Sequence, residues 1–248
     1  MENILTLAEV ARIEEVGGGH FRVALAPHFK VAPRPGQFAM LRVRDSATPL
    51  LRRPLSIHRW NGKEVEFLFR VKGEGTKILS ELKSGAMVDV LMPLGRGFEA
   101  KRPRPLLVGG GIGVAPLLYL AEDCKKRGLS PKLLLGGRSD GDLLCRSDFC
   151  ALEMETAFAT EDGSFGETGL ITALLKKELE SGSREELSVH ACGPMPMMAA
   201  VARLCGEYGV DCEVSLEAHM ACGVGACLGC VVKGADGANK RVCKEGPV

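Results

Sequence analysis

Four of the ten cysteines in this 248-residue chain crowd toward its end: Cys222, Cys227, Cys230 and Cys243. Three of them stand on a nine-residue stretch, Cys222-Gly-Val-Gly-Ala-Cys227-Leu-Gly-Cys230, and the fourth follows after twelve more residues. From Glu217 onward the chain is rich in glycine and cysteine and has almost no hydrophobic periodicity. Such a segment is too small to bury a core of its own. Something besides its own apolar burial has to hold it, and a metal cluster would. Gly223, Gly225 and Gly229 let the backbone turn tightly and bring N–H groups close to sulfur. Val231-Val232 and Arg241-Val242 flank a turn containing Gly234 and Asp236-Gly237, which predicts a hairpin returning Cys243 beside the loop.

The spacing C-x4-C-x2-C followed by a distant cysteine is that of plant-type [2Fe–2S] centres, so all four cysteines are candidate ligands. A structural zinc site is the alternative, but such sites usually pair two short spacings, and only one C-x2-C is present here. The other cysteines (Cys124, Cys145, Cys150, Cys192, Cys205, Cys212) are scattered. The opening Met1-Glu2-Asn3-Ile4 lacks the basic and apolar regions of an export signal. The longest uncharged stretch, Pro105 to Ala121, contains glycines and is too short to span a bilayer. A cytoplasmic location is expected, and there a cysteine surplus reads as metal-binding rather than disulfide-bonded. Lys+Arg 32 against Asp+Glu 31 are interspersed, with a net charge of +1, which gives no electrostatic case for nucleic acid or an anionic membrane.

The first hundred residues read as short strands broken by turns. Alternation marks Phe21–Leu25, Gln37–Val43 and Glu64–Arg70, and Asn61-Gly62 is a hairpin signal. The pattern suits a closed barrel or a sandwich. A helix is predicted over Thr76–Lys83, with Thr76 as N-cap. Lys101-Arg102-Pro103-Arg104-Pro105 suits a linker. Beyond it, strands at Leu106–Val108, Lys132–Leu135, Thr156–Ala159, Leu187–Ala191 and Cys212–Leu216 alternate with helices at Pro116–Arg127, Leu170–Glu180 and Met195–Tyr208. That alternation predicts a parallel sheet covered on both faces. The expected partition is a β-barrel domain over 1–100, an α/β nucleotide domain over 101–216 and a small cluster segment over 217–248.

Two further groups of residues carry chemistry. Arg53-Pro54-Leu55-Ser56 on a strand could pair its arginine with a phosphate while Ser56 and backbone meet a flat ring. Gly73-Glu74-Gly75-Thr76 opens a helix, a natural pyrophosphate site. Taken singly, the first is more often a solvated strand and the second a plain turn. In the second half, Gly109-Gly110-Gly111-Ile112-Gly113-Val114-Ala115-Pro116 joins a strand to a helix, like a dinucleotide fingerprint lacking its third spaced glycine. A tight ligand-free turn is the plainer reading. Gly136-Gly137-Arg138-Ser139 stands where an acid would mark NAD; Arg138 and Ser139 could meet a 2′-phosphate or form an ordinary exposed turn. Cys192-Gly193-Pro194 precedes a later helix, and Cys192 by itself reads as a small buried apolar residue.

In this order the pieces resemble the ferredoxin–NADP reductase superfamily, where an Arg-x-x-Ser strand binds flavin and a Cys-Gly-Pro sets its cysteine near nicotinamide. With Gly75-Thr76 and the run Glu217-Ala-His-Met-Ala-Cys222-Gly-Val-Gly-Ala-Cys227, the whole chain resembles the electron-transfer subunits of two-subunit, NAD-linked dihydroorotate dehydrogenases of bacterial pyrimidine synthesis. The resemblance implies a multi-domain fold: an antiparallel flavin barrel, a parallel-sheet nucleotide domain and a [2Fe–2S] segment. It implies FAD contacts at Arg53, Pro54, Leu55, Ser56, Leu68, Phe69, Arg70, Gly75 and Thr76. NAD would lie at Gly109, Gly110, Gly111, Gly113 and Pro116 and at Cys192, Gly193 and Pro194, with no catalytic residue beyond the cofactors except Cys192 near the nicotinamide. The implied partner is an FMN-containing dihydroorotate dehydrogenase catalytic subunit, in a heterotetramer of two of each chain. Electrons would run between partner FMN, cluster, FAD and NAD. The chain departs from the family in having His219 where an arginine is common, and in the short tail after Cys243. An NAD(P)H:ferredoxin or sulfide-linked oxidoreductase subunit is the nearest alternative; some of those replace a cluster cysteine by Asp, whereas all four are Cys here. A non-catalytic zinc-stabilised interaction module is the alternative from another class.

Overall fold

The structure, a computed structural model, describes residues 4–27, 32–44 and 48–248; most of the opening read for an export signal lies outside them. It divides into two compact units, Met1–Gly97 with Leu216–Val248, and Phe98–Ser215.

In the first unit, β1 (Ile4–Gly17), β2 (His20–Pro27), β3 (Phe38–Arg42), β4 (Arg53–Trp60), β5 (Val65–Arg70) and β6 (Met87–Leu94) close into a barrel in the order β1-β2-β5-β4-β3-β6. Every pairing is antiparallel. Asn61-Gly62 makes the turn between β4 and β5: Gly62 has φ +90° and the Asn61 side chain accepts the amides of Lys63 and Glu64. The barrel interior is filled by residues such as Val23, Leu25, Ile57, Phe67 and Val90, all fully buried.

The helix after β5, α1 (Glu74–Glu81), starts earlier than the sequence suggests, and its N-cap is Gly73 rather than Thr76. Thr76 sits one turn inside. Its Oγ1 accepts from the amides of Gly73 (3.2 Å) and Lys72 (2.9 Å). This is the reciprocal half of a capping box, which satisfies exposed amides from within the first turn.

The second unit holds β7 (Arg104–Gly110), α2 (Ala115–Lys126), β8 (Lys132–Gly137), α3 (Arg146–Cys150), β9 (Glu155–Thr160), β10 (Glu167–Thr168), α4 (Ile171–Ser181), β11 (Leu187–Cys192), α5 (Met195–Tyr208) and β12 (Asp211–Val214). The six strands form one parallel sheet in the order β10-β9-β8-β7-β11-β12. Leu106, Val108, Leu134, Val189 and Ala191 pack one face against Leu175 and Leu179 of α4 and Val201 and Cys205 of α5. The supposed linker is partly strand: Arg104 and Pro105 open β7. Pairing with β8 begins only at Leu106, so a proline lacking its N–H is tolerated at the strand's first residues.

The C-terminal residues add the hairpin β13 (Val231–Lys233) and β14 (Asn239–Arg241), then a short helix α6 (Val242–Glu245) carrying Cys243. The segment borrows the barrel's core instead of building one. Cys230, Val242 and Cys243 pack with Phe38 and Met40 of β3 and Leu94 of β6, joined by Leu216, Ala218 and Met220. The short tail is pinned as well: the Leu216 amide donates to the Pro247 carbonyl (2.8 Å), and the Arg96 amide to that of Gly246. Among the described residues no helix is long and apolar enough to cross a membrane.

Candidate functional sites

The four clustered thiols come together in two pairs. The Cys227 amide donates to Cys222 Sγ and the Cys243 amide to Cys230 Sγ, each at 3.4 Å. A two-iron rhomb takes its thiolates in that way, two to each metal. Further main-chain amides aim at the sulfurs: Gly225 at Cys243 (3.1 Å) and Gly229 at Cys227 (3.5 Å). Donors of this kind favour the thiolate form. Burial pushes the Cys222 thiol up, but the amides of Cys227, Val224 and Ala226 outweigh it and bring the thiol down to about 6. In the buried pair, burial and the neighbouring Cys230 push Cys243 up to about 12; a bound cation would reverse that. The donor set therefore fits an iron–sulfur cluster.

Gly223 and Gly225 take φ of +73° and +82°, and a Cβ on Gly223 would meet the Met40 side chain at 2.6 Å. Arg241 was not singled out from sequence. It donates to the Gly225 carbonyl (3.1 Å) and forks onto Glu245, clamping the loop to α6. Opposite charges four residues apart around Cys243 were the available signal.

In the barrel, Arg53, Pro54, Leu55 and Ser56 open β4 and pair with Leu41, Met40, Ala39 and Phe38 of β3. The structure brings the two weak phosphate signals together. A Cβ on Gly75 would lie 2.1 Å from Arg53 Nε, so the guanidinium rests on the first turn of α1, where amides and helix dipole favour an anion. Here too a cradle fits the implied group, a flavin pyrophosphate. Leu68 and Phe69 at the end of β5 are buried, Phe69 stacking on Phe21 at 5.9 Å, and Arg70 is exposed. Of the three, only the Arg70 side chain is open to solvent.

In the parallel sheet, the order in which strands are added reverses at β7, since β8 lies on one side of it and β11 on the other. Ligands of open α/β sheets bind at the carboxyl ends of strands flanking such a switch point. Both glycine signals are there. Gly109 pairs with Cys192, and a Cβ on Gly113 would strike the Cys192 carbonyl at 2.4 Å and Gly193 Cα at 2.5 Å. Gly111 turns with φ +54°, and Pro116 lies in the first turn of α2. Met197, which sequence reading passed over, fills the space left by two glycines: added Cβ atoms on Gly110 and Gly193 would both meet it at 2.6 Å. Cys192 and Pro116 are buried, while Gly111 and Gly193 keep partial exposure where the two loops meet. Arg138 is exposed and pairs with Asp142 through both its amide (3.1 Å) and its side chain (3.4 Å).

A barrel and a switch-point sheet with these loops belong to the oxidoreductases of the ferredoxin–NADP reductase fold. The solved structure of an NADH-dependent reduced ferredoxin-NADP oxidoreductase is similar to this chain with a TM-score of 0.85 and 28% identity, covering 97% of this chain and 86% of that one. Residues 107–203 match the oxidoreductase NAD-binding domain, and residues 217–248 match the iron-sulfur cluster binding domain of dihydroorotate dehydrogenase B. The dihydroorotate dehydrogenase B (NAD(+)) electron transfer subunit of Desulforamulus reducens is 40% identical over 230 residues, covering 90% of this chain and 87% of its own. That of Clostridium acetobutylicum is 38% identical over 250 residues, covering 100% of this chain and 96% of its own. The chain belongs to the family of dihydroorotate dehydrogenase B electron transfer subunits.

Proposed function

We propose that this chain passes electrons between a nicotinamide nucleotide and a dihydroorotate-oxidising partner, through FAD and a [2Fe–2S] cluster. In this reading residues 1–100 bind FAD, 101–216 bind NAD and 217–248 hold the cluster. Bound FAD would take a hydride's two electrons together and release them singly, as an iron–sulfur cluster requires. Arg53 and the first turn of α1, with Gly75 and Thr76, hold the pyrophosphate, while Pro54 to Ser56 and the end of β5 (Leu68 to Arg70) line the ring. The backbone of Gly109 to Gly113 and of Cys192 to Pro194, with Pro116 opening α2, holds the nucleotide, and the thiolates of Cys222, Cys227, Cys230 and Cys243 ligate the cluster. The partner is an FMN-containing catalytic subunit, two copies of each chain form the complex, and the complex works in the cytoplasm.

One observation supports this reading more than any other. Gly223, beside Cys222, rests on the side chain of Met40, whose ladder partner is Pro54 on the strand that would hold the flavin, so the thiol loop and that strand are one strand apart. Reconstitution tests it. Alone, the protein should reduce artificial one-electron acceptors with NADH and show no dihydroorotate:NAD⁺ activity; adding the FMN subunit should create that activity. If the FMN subunit neither binds nor confers activity, while a ferredoxin accepts electrons, the ferredoxin-linked reading replaces this one.

A further inference from the structure

The outward positions of a sheet with one wet face are normally polar. Along one line of this barrel they are not. β3, β6 and β1 are neighbours, and Met40, Leu91 and Leu5 stand opposite one another across them, which puts the three side chains on the same face. The C-terminal segment covers this row from one end only. Met40 is fully buried beneath Gly223, Leu91 is half-buried against the same segment, and Leu5 is 61% exposed. The bare surface continues along the two strands to Leu7, 54% exposed, and Met87, 49% exposed. Asp89, opposite Leu7, is engaged by Arg52 through two hydrogen bonds of 2.8 and 2.7 Å, and the exposed Glu9, opposite Met87, marks the charged edge of the patch. A contiguous exposed apolar surface of this kind marks an interaction site.

We propose that the catalytic partner subunit docks on this bare continuation of β1 and β6, with Leu5 and Leu7 as its apolar anchors. The inference rests on the function proposed above. The relatives are named as one subunit of a larger enzyme, so a different chain has to cover some face of this one. Whatever covers Leu5 also abuts Leu91 and the segment that carries the four cysteines. An electron-exchanging partner must occupy that ground, whereas a second copy of this chain has no such requirement.

The test uses the full holoprotein and the purified catalytic subunit. A Leu5→Lys/Leu7→Lys variant should bind the subunit at least about 100-fold more weakly than the parent, the loss expected when central apolar anchors are replaced by charge. Its flavin and cluster absorption and its NADH:dye reductase rate should match the parent's. Equal binding of parent and variant would overturn the docking site while leaving the functional reading intact. Failure of the parent itself to bind would overturn the functional reading, and the docking site with it. If the substitutions instead turn a dimer of this chain into monomers and leave subunit binding unchanged, the face belongs to a second copy and the proposal fails. Should the double variant lose its cofactors, Leu7→Cys serves in its place: the partner should slow maleimide labelling at that position at least tenfold, read by peptide mapping, and unchanged labelling would overturn the proposal.

Discussion

Arg53 and Gly75 depend on each other through the absence of one carbon atom. The guanidinium lies where a Cβ on residue 75 would be, so the glycine is there to admit the arginine and not to bend the chain. Gly75→Ala should therefore mimic Arg53→Ala. Both should weaken FAD binding, by roughly 1.5–3 kcal/mol if one charge-assisted contact is lost, with thermal stability kept because alanine suits a helix better than glycine. Titration of FAD into deflavinated protein measures this, and undiminished affinity in both variants would remove the phosphate role. The cysteines divide in the same residue-specific way. Cys227→Ser should abolish bound iron and sulfide. Cys124→Ser should keep both, since Cys124 is fully buried in α2 and burial pushes its thiol up to about 12, far from the thiolate a metal needs. Iron and sulfide content equal to the parent in both variants would sink the ligand assignment. All four clustered thiols were legible because ligand spacing is a local property. Arg241 and Met197 were not, because Gly225 in one case and Gly110 in the other, which they touch, lie distant in sequence.

At the scale of elements, the parallel sheet was easy to read and the barrel harder. Helix α5 spans Met195–Tyr208 as the sequence suggests, because a proline in its first turn and Gly209 at φ +64° punctuate it. Strands β1 and β6 escape an alternation test: Leu5 and Leu7 point outward where polar residues are expected, and Met87–Leu94 is almost continuously apolar. The start of α1 was misplaced because a threonine inside the first turn can look like a cap. The β7 and β11 loops pack so closely that Gly113→Ala should fail at the backbone, not at a side chain. A loss on the order of 1–3 kcal/mol is expected from overpacking, with NADH affinity falling alongside, and wild-type values of both would contradict the close approach. On the next strand pair, His190 and Glu213 stand opposite each other on β11 and β12 and bond at 2.9 Å. Burial pushes the Glu213 carboxyl up, but His190 and the Glu99 amide more than compensate and leave it below its ordinary 4.5. A carboxyl depressed by folding stabilises fully above that ordinary value and loses its contribution as pH falls through the lower folded one. Melting temperature should drop as pH falls from about 6 to about 3, and Glu213→Gln should flatten that acid limb. A parallel fall in both proteins would refute the assignment.

For the molecule as a whole, the C-terminal segment is tied to the barrel by more than metal. Its thiol loop and its packed base should respond differently when iron is removed. Hydrogen exchange should show the amides of 223–230 losing protection, while Leu216, bonded to Pro247, and Val242, whose amide reaches the Cys230 carbonyl, stay slow. Uniform loss across the segment would mean that the cluster alone holds it. The ladder between β3 and β4 bears on how this arrangement can change over time. Neighbouring strands stand about 4.8 Å apart, a spacing set by main-chain hydrogen bonds that no side-chain replacement retunes. Gly223 leans on the Met40 side chain and Met40 faces Pro54, so the lateral step from that contact to the Arg53 strand is a backbone dimension. Surface loops can lengthen, shorten or drift in sequence, and that step stays where the sheet put it.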